Sequence, residues 1–154
     1  MSDIDRKQLA FDYFCSGHNC AQSVVMAFED ILPLDKQSLE KVSIAFGGGF
    51  GRTRNLCGAV SAMGIVVGLL NDTSNNPMAD KGDIYKIIQH LVAEFKEKNN
   101  SDNCGELLKD VKNLTQGYMP QVRNSEYYNN RPCIKFVLDS VQLLEQYLET
   151  KFLD

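Results

Sequence analysis

Residues Gly47 to Gly68 read GGGFGRTRNLCGAVSAMGIVVG. From Ala59 to Leu70 twelve consecutive residues carry no charge. That run is too short to span a bilayer, which takes about 20 apolar residues, so it reads as a helix buried on nearly every side. The triple glycine and the basic loop before it form a flexible turn, and the turn delivers Cys57 onto the first turn of that helix. The glycines also invite a phosphate-loop reading. They follow a helix rather than a strand, however, and match neither GxGxxG nor GxxxxGK[ST]. They are read instead as a tight interhelical connection that lets backbone approach a cysteine site.

Outward from this stretch the chain reads as helices. Ile4 to Tyr13 carries apolar residues at Ile4, Leu9, Phe11 and Phe14 and stops at Ser16-Gly17. Asn19 caps a second helix, Cys20 to Leu32, which Pro33 ends. Lys36 to Phe46 places Leu39, Val42 and Phe46 together. The central helix spans Leu56 to Leu70. A turn-rich loop, Asn71 to Pro77, leads to a long amphipathic helix from Ala79 to Lys98. Asn103 with Glu106 resembles a capping pair that starts a short helix from Cys104 to Asp110. Lys112 to Asn130 has no period and reads as a long loop with a turn of helix near Tyr127-Tyr128. Pro132 opens the last helix, to Phe152. No stretch alternates with period two. The expectation is an all-α fold: one compact domain over residues 1–154, a bundle of six or seven helices with a buried, glycine-containing central helix. Within that helix Gly58, Ser61 or Ala62, Gly64 and Gly68 form a row of small residues that would let other helices cross closely.

Composition narrows the function. With 154 residues, 44% hydrophobic and 23% charged, the chain buries a genuine core without staples. Its net charge is −4, and its 16 Lys and Arg are scattered along the sequence rather than gathered in a stripe, which discounts nucleic acid as a partner. The start, MSDIDRKQLA, carries no secretory signal, so the expected compartment is the cytoplasm. No paired carboxylates, Ser-His-Asp set or HExxH motif supports hydrolysis.

The five cysteines carry the chemistry. In a reducing compartment they are metal-binding, catalytic or simply buried rather than permanently bridged. Cys20 follows Asn19, Cys57 comes two after Asn55, Cys104 follows Asn103, and Cys133 follows Arg131-Pro132. Four of the five therefore fall in the first turn of a helix. First turns cover only roughly a sixth of such a chain. A helix start presents unpaired N–H groups and the positive end of the dipole, which favour thiolate, the form that attacks disulfides and binds metals. Arg52 and Arg54 make Cys57 the candidate for a low-pKa thiol, although surface ion pairs are the commoner fate of arginines. Cys15 is read as a small buried hydrophobe. His18, two before Cys20, is read as a capping or solvent-exposed residue rather than a ligand, and His90 has no role. The absence of CxxC argues against thioredoxin-like chemistry and zinc ribbons.

The segments Asn19-Cys20-Ala21-Gln22-Ser23-Val24, Leu56-Cys57-Gly58-Ala59-Val60-Ser61-Ala62 and Asn103-Cys104-Gly105-Glu106-Leu107-Leu108, with the late Cys133, resemble the C-GCAxxG-C-C family of redox-active proteins. The resemblance covers nearly the whole chain. It implies that the family cysteines are Cys20, Cys57, Cys104 and Cys133, with Cys15 outside the set, and that an oxidoreductase or electron-transfer protein is the partner. Two departures stand out: Ala62 where the CGAxxG pattern ends in Gly, and an expanded loop from Lys112 to Asn130.

Three functions follow. The first is thiol/disulfide or electron-transfer chemistry at Cys20, Cys57, Cys104 and Cys133. The second is a four-thiolate zinc or iron–sulfur site at the same residues, although spacings of 37, 47 and 29 resemble no compact metal motif. The third is a non-enzymatic binding module with structural cysteines. Homo-oligomer formation and the cysteine pairing stay open, since four cysteines allow three connectivities.

Overall fold

The computed structural model describes residues 4–72 and 74–153. Among them lie eight helices and no strand, one helix more than the upper expectation: α1 Arg6–Cys15, α2 Cys20–Met26, α3 Lys36–Ser43, α4 Gly58–Leu69, α5 Pro77–Asn99, α6 Cys104–Leu107, α7 Ser125–Asn130 and α8 Cys133–Leu153. The addition is α7, which occupies the part of the long loop where a helical turn was read.

Side chains start the helices. Asp5 caps α1, Asp35 caps α3 and Asn124 caps α7, each accepting a backbone N–H three residues on. At α2 the cap is reciprocal: Asn19 accepts the Gln22 N–H, and the Gln22 side chain accepts the Asn19 N–H. At α6, Asn103 accepts the Glu106 N–H at 2.8 Å, but the Glu106 carboxylate pairs with Lys109 instead of turning back.

The central helix lies where expected. Ala59, Val60, Ala62, Met63, Val66 and Val67 of α4 are buried among α2, α5 and α8. Phe95 of α5 meets Phe136 of α8 edge-on. Of the row of small residues, Gly58 and Ala62 are buried. A side chain at Gly58 would collide with its neighbours, whereas Gly64 and Gly68 face open space.

Other expectations need correction. The second helix ends at Met26, not Leu32. Arg6, buried on α1, donates from Nη1 to the Ala27 carbonyl at 2.9 Å, the acceptor Ile31 would use in an α-helix, and the Ile31 N–H bonds Phe28 instead. Arg6 also forms a fork on the Asp30 carboxylate and lies over the Phe28 ring. The inward face of α1 is thus Arg6, Ala10 and Phe14, while Ile4 and Phe11 are exposed. Val42 is exposed too, and the third helix gives way to a tighter turn at Ile44–Phe46.

Candidate functional site

The site is built on the turn that links α3 to α4. Gly48 and Gly49 have φ of 67° and 71°, and the left-handed conformation continues through Phe50, Gly51 and Arg52 and recurs at Arg54. Side chains disfavour this region by roughly 1–2 kcal/mol per residue, so three non-glycine residues held there need compensation. Long-reach backbone bonds supply it: Gly51 N–H to Ala45 O at 2.7 Å, Arg54 N–H to Gly48 O at 3.1 Å and Asn55 N–H to Gly49 O at 2.9 Å. The Thr53 hydroxyl closes back on the Gly49 and Phe50 carbonyls.

This turn sews two cysteine-bearing helix starts together. Leu56 faces Asn103 in an isolated antiparallel bridge. The Cys57 N–H donates to Asp102 O at 2.7 Å, and the Cys104 N–H donates to Asn55 O at 2.6 Å. Each cysteine thereby sits beside the other's strand of the bridge. Glycine makes the approach close enough: a Cβ on Gly49 would lie 2.6 Å from the Cys104 Cβ. A Cβ on Gly58 would lie 2.6 Å from the Cys20 sulfur, which bonds the Gly48 backbone N–H.

Cys20, Cys104 and Cys133 are the first residues of α2, α6 and α8, and Cys57 immediately precedes α4. All four line one cavity of about 60 Å³, together with Phe14, Leu108, Tyr127 and Phe136. Cys20 is the electrostatic neighbour of the other three. Cys15 stands apart and is exposed, contrary to the buried reading. His18 donates from Nδ1 to the Tyr13 carbonyl and faces Glu40, and it does not line the cavity. His90 pairs with Glu94 on the surface of α5.

The thiolate expectation at Cys57 is corrected by its surroundings. Burial pushes its thiol well above the usual range, the neighbouring Cys20 adds to this, and the helix-start N–H groups of Ala59 and Val60 only partly offset it. Cys20 is raised for the same main reason, against the opposing Gly48 N–H. Cys133 is pushed up to about 12 by burial and by Cys20, with Arg131 acting against the shift. A helix terminus is too weak to hold a charge in so dry a site.

Nor do the two arginines of the basic loop serve Cys57. Arg54 points its Nη1 at the Cys104 sulfur, 3.7 Å away. Arg52 reaches across to the long loop, donating to the carbonyls of Thr115 at 3.0 Å and Gly117 at 2.7 Å, and also to Met119. The polar loop is tied down over the site by these bonds. Arg123 and Arg131 complete the wall. Arg123 donates to the carbonyls of Phe14 and His18, and both guanidiniums stack on Tyr127. Neither residue was singled out in the sequence, because both lie where no period exists. The available signal was compositional: four of the chain's five arginines fall in the glycine turn, in the long loop or immediately after it.

A family model described as "Putative redox-active protein (C_GCAxxG_C_C)" matches residues 18–147. The chain belongs to that family. No curated protein and no solved structure matches it. This C_GCAxxG_C_C protein is all-α and carries four of its five cysteines on one cavity wall. Among the described residues no helix is long and apolar enough to cross a membrane. Among the same residues no three His, Cys, Asp or Glu side chains are grouped to hold a metal ion.

Proposed function

We propose that this C_GCAxxG_C_C protein is a cytoplasmic thiol–disulfide redox protein in which Cys104 attacks and Cys20 resolves, with Cys57 and Cys133 as further members of the same thiol set. The observation that carries the reading is the meeting of four cysteines from four helix starts at one cavity, with Arg54 donating to the Cys104 sulfur.

The acceptor is a disulfide, small or on a partner oxidoreductase. The Cys104 sulfur attacks one of its sulfur atoms, the S–S bond breaks, and one thiolate departs. Cys20 then attacks Cys104 in the mixed disulfide and releases the second thiolate. Two protein thiols become one disulfide, the acceptor gains two electrons, and the two protons end on the released thiols. Cys57 and Cys133, whose burial holds them protonated, are suited to a slower second exchange with Cys20.

Intact mass of the anaerobically purified chain before and after a mild disulfide oxidant tests this. The expected result is loss of two hydrogens per chain, with the link mapped to Cys20 and Cys104 and abolished in Cys104→Ser. Unchanged mass, or identical reactivity in a variant with all four cysteines replaced, sinks it in favour of a binding module. Iron or zinc retained at one equivalent per site would replace it with a thiolate-ligand role.

A further inference from the structure

Above the thiol cavity lies a second, more open cavity of about 250 Å³, and the two share Arg54, Arg123, Tyr127 and Arg131 in their walls. Arg52 completes the set, and no Asp or Glu lines it. A protein of net charge −4 thus gathers four of its five arginines at one mouth. The fifth, Arg6, is the one with a carboxylate partner. Among the described residues none of the four is ion-paired; their partners are carbonyls, the Gln121 amide, the Thr115 hydroxyl and the sulfurs of Cys104 and Cys133. The Nε donors of Arg54 and Arg131 are buried and donate to nothing. Guanidiniums without carboxylate partners, in a concave wall too small for a macromolecule, fit a small multiply charged anion.

We propose that this vestibule binds small dianions, and that it selects for the thiols beneath it disulfides carrying carboxylates. The selection rests on the thiol function proposed above; the binding does not. In the exchange, one dianionic disulfide takes two electrons from two protein thiols and leaves as two carboxylate-bearing thiols.

Two measurements on the native reduced chain test it. Titration with inorganic sulfate, against chloride at equal ionic strength, is expected to show saturable calorimetric binding for sulfate alone. Oxidation by three small disulfides, 3,3′-dithiodipropionate, 2-hydroxyethyl disulfide and cystamine, is expected to rank dianion over neutral over dication. The ends of that series should differ by about tenfold or more. The gap should shrink with added salt, and in Arg131→Met or Arg123→Met, whichever retains the native helical spectrum. Equal rates for the three disulfides, or sulfate binding no tighter than chloride, overturns the proposal. Sulfate binding with no reaction by any disulfide supports the vestibule and sinks the thiol function alone.

Discussion

A methyl group added at Gly58 would sit 2.6 Å from the Cys20 sulfur and 2.6 Å from the Phe46 carbonyl oxygen. The sulfur can swing away but the backbone oxygen cannot, so Gly58→Ala is expected to cost about 2 kcal/mol by overpacking. It should also speed alkylation of Cys20. A urea titration and a thiol-labelling time course check the two halves. The raised thiols make a second prediction. Cys57, Cys20 and Cys133 hold their protons more tightly folded than unfolded, so their contribution is complete below the ordinary thiol value of 9.0 and is lost as pH climbs above it, for Cys133 toward about 12. Unfolding free energy under reductant should fall steadily above pH 9, and Cys133→Ser should make that fall shallower. Urea midpoints between pH 7 and pH 10 measure it; a flat profile contradicts the burial argument. At this scale the sequence showed where the sulfurs sit, because caps and breakers are local signals. It did not show their charge state, because desolvation depends on what packs over a thiol, and Phe14, Tyr127 and Phe136 come from distant segments.

At the scale of elements, the turn from Gly47 to Asn55 and the loop over it act as one unit. Arg52 is the tie, through the carbonyls of Thr115, Gly117 and Met119. Arg52→Ala is expected to speed amide exchange across residues 115–121 while leaving the amides of α4 and α8 as protected as before. Mass-detected hydrogen exchange reads both; unchanged exchange in the loop would mean that it is held by other contacts. The helices themselves were largely legible. The long periods of α5 and α8, the Asn19 cap and the uncharged run of α4 all predict elements found within a few residues. The misreadings at α1 and at the end of α2 share one cause. Arg6 is charged and so falls outside an apolar period, yet its fork on Asp30 lets a charge occupy an inward position and divert the Ala27 carbonyl. Periodicity weighs side chains by polarity and is blind to a polar group that brings its own partner.

Across the whole molecule, the site joins segments far apart in the chain. Cys20 and Cys104 lie 84 positions apart. A bond between them, as proposed, would restrict the unfolded chain by on the order of 4 kcal/mol in the loop-entropy account. The oxidised protein should therefore unfold at a higher urea midpoint than the reduced one, and the difference should vanish in Cys20→Ser. An oxidised form less stable than the reduced form would point to a strained link or another pairing. The all-α class and the family were readable because helical period and four cysteine contexts survive in one dimension. The gathering of Arg52, Arg54, Arg123 and Arg131 was not, because arginines that look scattered along a chain meet only once the long loop folds back.

The bridge between Leu56 and Asn103 has a consequence for anyone wishing to build such a site elsewhere. Moving four cysteines into the helix starts of another bundle would not reproduce it. The Cys104 N–H needs the Asn55 carbonyl and the Cys57 N–H needs the Asp102 carbonyl, and Asn55 is aimed by the left-handed run before it. The portable unit is the glycine turn together with the strand pair it anchors. A graft of the cysteines alone would carry over the sulfurs and leave behind the backbone that points them at one another.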